Sequence, residues 1–211
     1  MIFPGRDSQS QISSPCQGLD HVLVSVNAFD IVWLLYAARL DCQAKKLWYS
    51  RTMNIRKAII TDSFDLSRLS RDVQSLHAQH HPNVFRMPDS DEFAVPFFEE
   101  MLADPAVTIF IAEENGELLG CILCKLVERP ENTFTFAART LLVDQISVRP
   151  AAQGQGIGAA LIQQAEVLAE ELNVQRILLD SWGFNIKAHK FFESQGFAKF
   201  NFRFWKWLPG K

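Results

Sequence analysis

From Met53 onward the apolar positions switch between two spacings, one helical and one extended, and the switches delimit the elements. Asn54–Ile60 reads as a first strand, after which Thr61 or Asp62 is placed to cap a helix. Leu66, Leu69, Val73 and Leu76 recur at helical spacing, so that helix runs to about His80, where His81-Pro82 stops it. A loop holding Pro82 and Pro88 leads to a short helix over 96–102, with Pro96 suited to its first turn. Val107–Ala112 and Leu118–Val127 flank Glu114-Asn115-Gly116 and predict a hairpin. A second turn over 128–132, with Pro130 inside it, precedes a fourth strand that ends at Val148. Ile157, Leu161, Ala165, Leu168 and Leu172 then form one apolar stripe, with Glu166, Glu170 and Glu171 on the wet side, so a helix runs from Gly156 to about Leu172. A strand over Arg176–Trp182, a helix over Asn185–Ser194 and a final strand follow. In that last segment Phe200, Phe202 and Phe204 alternate with Lys199, Asn201 and Arg203. The order β-α-α-β-β-β-α-β-α-β predicts a mixed α/β domain.

The first 52 residues fit this scheme poorly. Residues 1–18 are polar and turn-rich, with no basic stretch leading into an apolar core as a signal peptide requires. Residues 22–40 are apolar but interrupted by Asn27 and Asp30, and an Asp in mid-bilayer costs about 2.5–3.5 kcal/mol. Residues 1–52 are therefore expected to be an extension dispensable for the chemistry, such as an upstream start codon would add, and 53–211 the functional domain. With 211 residues and 48% hydrophobic content the chain can bury one full core. Its net charge of −3 and lack of a Lys/Arg run argue against a nucleic-acid surface. Of the four cysteines, Cys16, Cys42, Cys121 and Cys124, the last two form a Cys-x-x-Cys, but within an apolar strand. Residues three apart on a strand face opposite ways, so buried structural thiols are expected rather than a zinc or redox pair, which suits a reducing cytoplasm.

The chemistry is carried by residues 144–158, Asp-Gln-Ile-Ser-Val-Arg-Pro-Ala-Ala-Gln-Gly-Gln-Gly-Ile-Gly, where a strand runs into a glycine-rich loop that opens a helix. A helix N-terminus holds unpaired N–H groups and the positive end of the macrodipole, and Gly154, Gly156 and Gly158 admit close approach of an anion. Read as Gly154-x-Gly156-x-x-Ala159, with Asp180 downstream, the loop fits a dinucleotide fingerprint. That fold needs several further strand–helix units, and only 53 residues follow Gly158. Read as Gln153-x-x-Gly156-x-Gly158 after Val148-Arg149-Pro150, it resembles the acetyl-CoA signature of the GNAT superfamily of N-acetyltransferases. Asn185-x-x-Ala188, Phe191-Phe192-Glu193 and Gly196-Phe197 are similar to that family's downstream Asn-x-x-Ala, Tyr-Glu and Gly-Phe segments.

The resemblance implies a GNAT-like fold, a central mixed β-sheet flanked by helices and splayed between its fourth and fifth strands. It implies acetyl-CoA as co-substrate, with the amides of Gln153, Gly154, Gln155, Gly156, Ile157, Gly158 and Ala159 around the pyrophosphate. Ile146, Ser147 and Val148 would lie along the pantetheine arm, Asn185 and Phe192 beside it, and the Val148 N–H would polarise the thioester carbonyl. Gln153 and Gln155 stand where the family commonly has Arg or Lys; Lys187 or Lys190 could compensate, or be solvated helix-face lysines. Asp144, on the same strand face as Ile146 and Val148 by simple alternation, is the first choice for a base; a surface ion pair is the alternative. Glu99, Glu100 and Asp180 are weaker candidates. The family's tyrosine acid is replaced by Phe192, and the only two tyrosines are Tyr36 and Tyr49, so water, Ser181 or His189 would have to protonate the leaving thiolate.

His77, His80 and His81 gather at the end of the first helix, before Phe85. They could cap the helix C-terminus, contact the acceptor or hold a metal; no Cys or carboxylate nearby completes a metal site, and none is expected. With His80, His81 and Phe85, Trp182 is a candidate for the acceptor side; Trp205 and Trp207 could border the same pocket, although single aromatics on strands are more often core. The reading that results is a cytoplasmic acyltransferase moving the acetyl group of acetyl-CoA to a primary amine, on a small-molecule or peptide acceptor, by direct attack. No nucleic-acid or membrane partner is expected, and a homodimer is admissible. The alternative is an acyl-CoA-binding sensor or partner-binding module with little transferase activity.

Overall fold

A computed structural model describes residues 53–208; the expectations for residues 1–52, including Tyr36, Tyr49, Cys16 and Cys42, lie outside the described residues. Strand β1 is Asn54–Lys57, followed by a 3-10 turn and helix α1, Ser63–His80. Helix α2 is Val95–Ala103, with Pro96 in its first turn. Strands β2 (Val107–Glu114), β3 (Glu117–Arg129) and β4 (Ala138–Val148) form an antiparallel meander. Its tight turn needs left-handed backbone, which Asn115 (φ 51°) and Gly116 (φ 80°) supply. Helix α3, Ile157–Glu171, crosses over to strand β5, Ile177–Leu179, which joins β4 in parallel, and helix α4 is Ile186–Ser194. The sheet order is β1-β2-β3-β4-β5, a mixed sheet flanked by helices, as the resemblance implies.

Alternation along the central strands separates two cores. Ile109, Ile111, Leu118, Cys121 and Leu123 face α1 and α2 through Leu66, Leu69 and Phe98. Phe110, Ala112, Ile122, Cys124, Leu141 and Val143 face α3 through Ile157, Leu161, Ala165 and Leu168. Cys121 and Cys124 thus lie on opposite faces, and burial pushes each thiol up to about 12, which leaves them inert. The expected cap at the start of α1 takes a different form. The Asp62 carboxylate accepts from the Ile59 N–H at 2.7 Å and from Arg56 Nη1 and Nη2 at 2.8 and 3.0 Å, and gives no bond to the helix's own amides.

Two expected strands are corrected. The fifth covers three residues instead of 176–182, because the chain leaves the sheet at Asp180 and turns toward α4. The last, at Phe200–Phe204, is extended in sequence pattern only: residues 198–208 form no strand and Phe200, Phe202 and Phe204 are exposed. Periodicity marks a side chain's face; a strand also needs a neighbour to pair with.

Candidate functional site

The short β5 has a consequence for β4. Its ladder covers only Leu141, Leu142 and Val143, so β4 continues for the five residues Asp144–Val148 with one edge open among the described residues. The Arg149 N–H reaches Leu119 O at 2.9 Å on the β3 side. Amide direction alternates along a strand, so the N–H groups of Ile146 and Val148 point to the open edge. The splay expected between the fourth and fifth strands is this divergence.

The register of β3 against β4 shifts between Leu123 and Cys124, whose partners are Gln145 and Val143, which leaves Asp144 as an extra, unpaired residue. Leu141 and Val143 share a core with Ile146 and Val148, so the parity of the strand changes across Asp144. The period-two count that places Asp144 on the face of Ile146 and Val148 therefore fails at this bulge. Asp144 is exposed, at the head of the open edge. The Ser147 side chain points away from the open edge. Its hydroxyl is buried and donates to Leu69 O at 3.1 Å on α1, on the opposite face from the α3 core, so it ties α1 to β4 and presents no side chain to the open edge.

At the end of β4 the chain makes a 3-10 turn, Pro150–Ala152, and enters the glycine loop. Gly154 (φ 78°) and Gly156 (φ 87°) adopt left-handed backbone, and Gly156 is the N-cap of α3. The first helical bond there is Ala160 N–H to Gly156 O, at 3.0 Å. The N–H groups of Ile157, Gly158 and Ala159 precede that ladder and point out of the helix end. Gly158 has a packing role besides the one its motif suggests. A Cβ there would meet Phe191 Cζ at 3.0 Å, so Gly158 makes room for an aromatic ring of α4. Ile157 anchors the same turn from below, its side chain fully buried.

Side chains close the loop. Gln153 Nε2 donates to Val148 O at 3.0 Å and Gln153 Oε1 accepts from Lys187 Nζ at 2.6 Å, which brings a cation to the loop from α4. Gln155 Nε2 donates to Ala151 O at 3.0 Å. Arg149, the nearest arginine in sequence, is paired with Glu117. Lys190 is exposed on α4. Asn185 is the N-cap of α4: its Oδ1 accepts from Ala188 N–H at 3.1 Å, which explains the Asn-x-x-Ala spacing and leaves the Nδ2 amide free of that bond. Phe192 is half-buried between Phe191, at 5.3 Å between ring centroids, and Phe197, at 6.0 Å.

A second cluster forms where α1 ends. His77 stacks on Phe85 at 5.0 Å, His80 on Phe184 at 4.1 Å, and His81 meets Trp182 at 5.1 Å and Trp205 at 5.2 Å. Burial, then the neighbouring His80 and His81, hold the His77 imidazole below its usual range, which favours the neutral ring. His80, His81, Phe85 and Trp182 thus lie in one cluster, joined through Phe184. Among the described residues no three His, Cys, Asp or Glu side chains stand where they could hold a metal. His189 Nε2 lies 3.0 Å from Trp182 O, and Ser181, Asp180, Glu99 and Glu100 are exposed.

Two residues escape the motif reading. Phe184 joins all three histidines and lies inside the segment expected to be loop. Gly120 sits in mid-strand on β3, where a Cβ would lie 2.9 Å from Ser147 O, 3.1 Å from Ile157 Cγ2 and 3.2 Å from Leu161 Cδ1. It lets α3 settle against the sheet beside the end of β4; a lone glycine inside an apolar strand is the signal that could have marked it. What results, among the described residues, is an open strand edge leading to an uncapped helix N-terminus, able to pair with an extended amide-bearing chain and to hold an anion at its end.

The sequence model described as Acetyltransferase (GNAT) family matches residues 71–197. Two proteins of Bacillus subtilis (strain 168) are similar to the chain. One is YdhI, 32% identical over 84 residues, 40% of this chain and 45% of that protein. The other is the uncharacterized N-acetyltransferase YhfO, 26% identical over 147 residues, 70% of this chain and 91% of that protein. The chain thus spans less than half of YdhI and most of YhfO. Among solved structures, a tetramutant of the BH1408 protein from Bacillus halodurans superposes with a TM-score of 0.70 at 21% identity, covering 74% of this chain and 99% of that one. At that identity the likeness speaks for the fold alone.

Proposed function

The chain belongs to the acetyltransferase (GNAT) family, and on that premise we propose that it transfers the acetyl group of acetyl-CoA to a primary amine by direct attack, with no covalent enzyme intermediate. The observation that carries this reading is the five-residue open edge of β4 running into the N-terminus of α3. When bound, acetyl-CoA supplies an activated thioester and a thiolate leaving group.

The chain's own residues do the rest. The amides of Gly154, Gly156, Ile157, Gly158 and Ala159 receive the pyrophosphate, with Lys187 adding positive charge where Gln153 and Gln155 add none. Ile146 and Val148 offer backbone pairing along the open edge, and Asn185 Nδ2 is a further donor. The Val148 N–H polarises the thioester carbonyl as a fixed dipole that needs no reorganisation. Asp144, exposed at the bulge, takes the proton of the incoming ammonium directly or through water. Phe192 packs between two other rings and supplies no proton; a thiol with a pKa near 8.5 leaves without a dedicated acid. The acceptor approaches past His80, His81, Phe85 and Trp182, and the buried thiols of Cys121 and Cys124 suit a cytoplasmic protein.

Titration calorimetry of the full chain with acetyl-CoA, with NADH as control, tests the site, and CoA release over a panel of amines tests the reaction. Binding of acetyl-CoA with release on an amine is the expected result. Binding without release on any amine would leave an acyl-CoA-binding module, and no binding by folded protein would end both readings.

A further inference from the structure

Helix α4 carries two of the proposed cofactor contacts, Asn185 and Lys187, yet among the described residues it buries none of its side chains fully. Helices α1 and α3 each bury six residues. A short helix is held in place mainly by packing one face against the rest of the fold, so α4 needs another kind of seat. Three contacts supply one. The Phe191 ring lies against Gly158 of α3, Lys187 Nζ donates to Gln153 Oε1, and the segment leading into α4 docks on the end of α1.

The third contact is the broadest. After Leu179 the chain has left the sheet, and Phe184 lies flat on His80, with 4.1 Å between ring centroids and 9° between planes. His77 at 5.7 Å and His81 at 5.4 Å flank the same ring. Trp182 adds contacts to His81 at 5.1 Å and Phe85 at 5.0 Å. Hydrogen bonds tie this segment to α4 as one piece. Trp182 O accepts from Asn185 N–H at 2.9 Å, and His189 Nε2 lies 3.0 Å from the same oxygen. Phe184 O accepts from Ile186 N–H at 2.9 Å. The far side of the dock is fixed in turn, because α1 is anchored in its core by Leu66 and Leu69.

We infer, on the reading that acetyl-CoA occupies the glycine loop, that Phe184 is a positioning residue of that site: its ring, docked among His77, His80 and His81, holds α4 where Asn185 and Lys187 reach the cofactor. A flat ring suits the place because stacked and edge-on ring pairs contribute beyond their apolar area. Phe184 is part of neither of the two cores, so its loss removes the dock and leaves the fold. Affinity falls with the seated fraction, since the apparent dissociation constant is the intrinsic one divided by that fraction.

The test compares the full wild-type chain with Phe184→Ala, Phe184→Tyr and Phe184→Leu. Hydrogen exchange over residues 186–194 and 157–171 reads the seat without any ligand, and calorimetry reads acetyl-CoA binding. Phe184→Ala is expected to speed exchange over 186–194 by about tenfold, as loss of one or two ring pairs implies, and to leave 157–171 unchanged. The acetyl-CoA Kd should rise about three- to tenfold. Phe184→Tyr keeps the ring and should restore both values, whereas Phe184→Leu keeps only apolar bulk and should not. His80→Ala removes the same contact from the other side, so in the double variant the two effects should fall short of multiplying. Unchanged exchange in Phe184→Ala overturns the inference, as does faster exchange with an unaltered Kd, or full rescue by leucine. A wild-type chain that binds no acetyl-CoA overturns the cofactor reading and the positioning role with it. Exchange then separates the two failures, because faster exchange in Phe184→Ala would show the dock present and the ligand wrong.

Discussion

Replacing Gly120 by alanine tests how the site is built, because this residue lies on β3, outside the open edge and the glycine loop, and yet sets the distance between β4 and α3. The added Cβ would stand 2.9 Å from the Ser147 carbonyl oxygen, 3.1 Å from Ile157 Cγ2 and 3.2 Å from Leu161 Cδ1. The first of these is backbone held in the β3–β4 ladder, and the other two belong to fully buried side chains, so none can yield cheaply. Overpacking of this kind costs about 1–3 kcal/mol. Alanine recovers about 0.5–1 kcal/mol of the conformational freedom that glycine loses in a strand. The cost wins, and a net loss of about 1–2 kcal/mol is expected. Urea unfolding followed by tryptophan fluorescence should show a lower midpoint at unchanged slope. Strain is relieved by moving Ser147–Val148 or the first turn of α3, so acetyl-CoA affinity should fall as well. Gly158→Ala is the control: its nearest contact is the edge of the Phe191 ring at 3.0 Å, which can tilt, and the smaller backbone entropy that alanine loses in the first helical turn opposes the strain. A Gly120→Ala protein as stable as wild type with undiminished acetyl-CoA binding would refute the argument that close β3–α3 packing positions the site.

Other substitutions probe the remaining parts. Gly156→Ala forces a side chain into left-handed backbone at φ 87° and should cost about 1–2 kcal/mol and weaken acetyl-CoA binding, read by calorimetry. Asp144→Asn should lower kcat with an amine acceptor while leaving the acetyl-CoA Kd unchanged; equal kcat in variant and wild type would remove Asp144 as base. Phe192→Tyr should raise turnover if thiolate protonation limits the rate, which a CoA-release assay reads directly. The hydrogen bonds from Arg56, foremost among its partners, hold the Asp62 carboxyl below its ordinary range. Its stabilisation is therefore complete above the unfolded value of about 3.9 and is lost as pH falls through the lower folded value. Thermal melts should show that acid-side loss in the wild type, and Asp62→Asn should flatten it.

What the sequence determined by itself is whatever depends on neighbours in the chain. The helices over 63–80 and 157–171, the Asn115-Gly116 turn and the opposite faces of Cys121 and Cys124 follow from periodicities and backbone preferences that act over a few residues. The glycine loop was legible for the same reason, since a helix opening is a local device, whereas Asn185 was marked only by the family resemblance and its N-cap role came from the structure. The tertiary structure alone decided what depends on distant segments. The three-residue length of β5 leaves five residues of β4 open, and no periodicity in β4 records where its partner ends. The bulge at Asp144 reverses the strand's faces because it arises from register against β3, so the alternation rule misplaced Asp144. Ser147 turned to Leu69, 78 residues earlier, and Phe184 turned to the histidines of α1, contacts created only when the helix lies across the sheet. The Phe200–Phe204 alternation marks a strand face, and a strand forms only where another backbone is there to receive its hydrogen bonds.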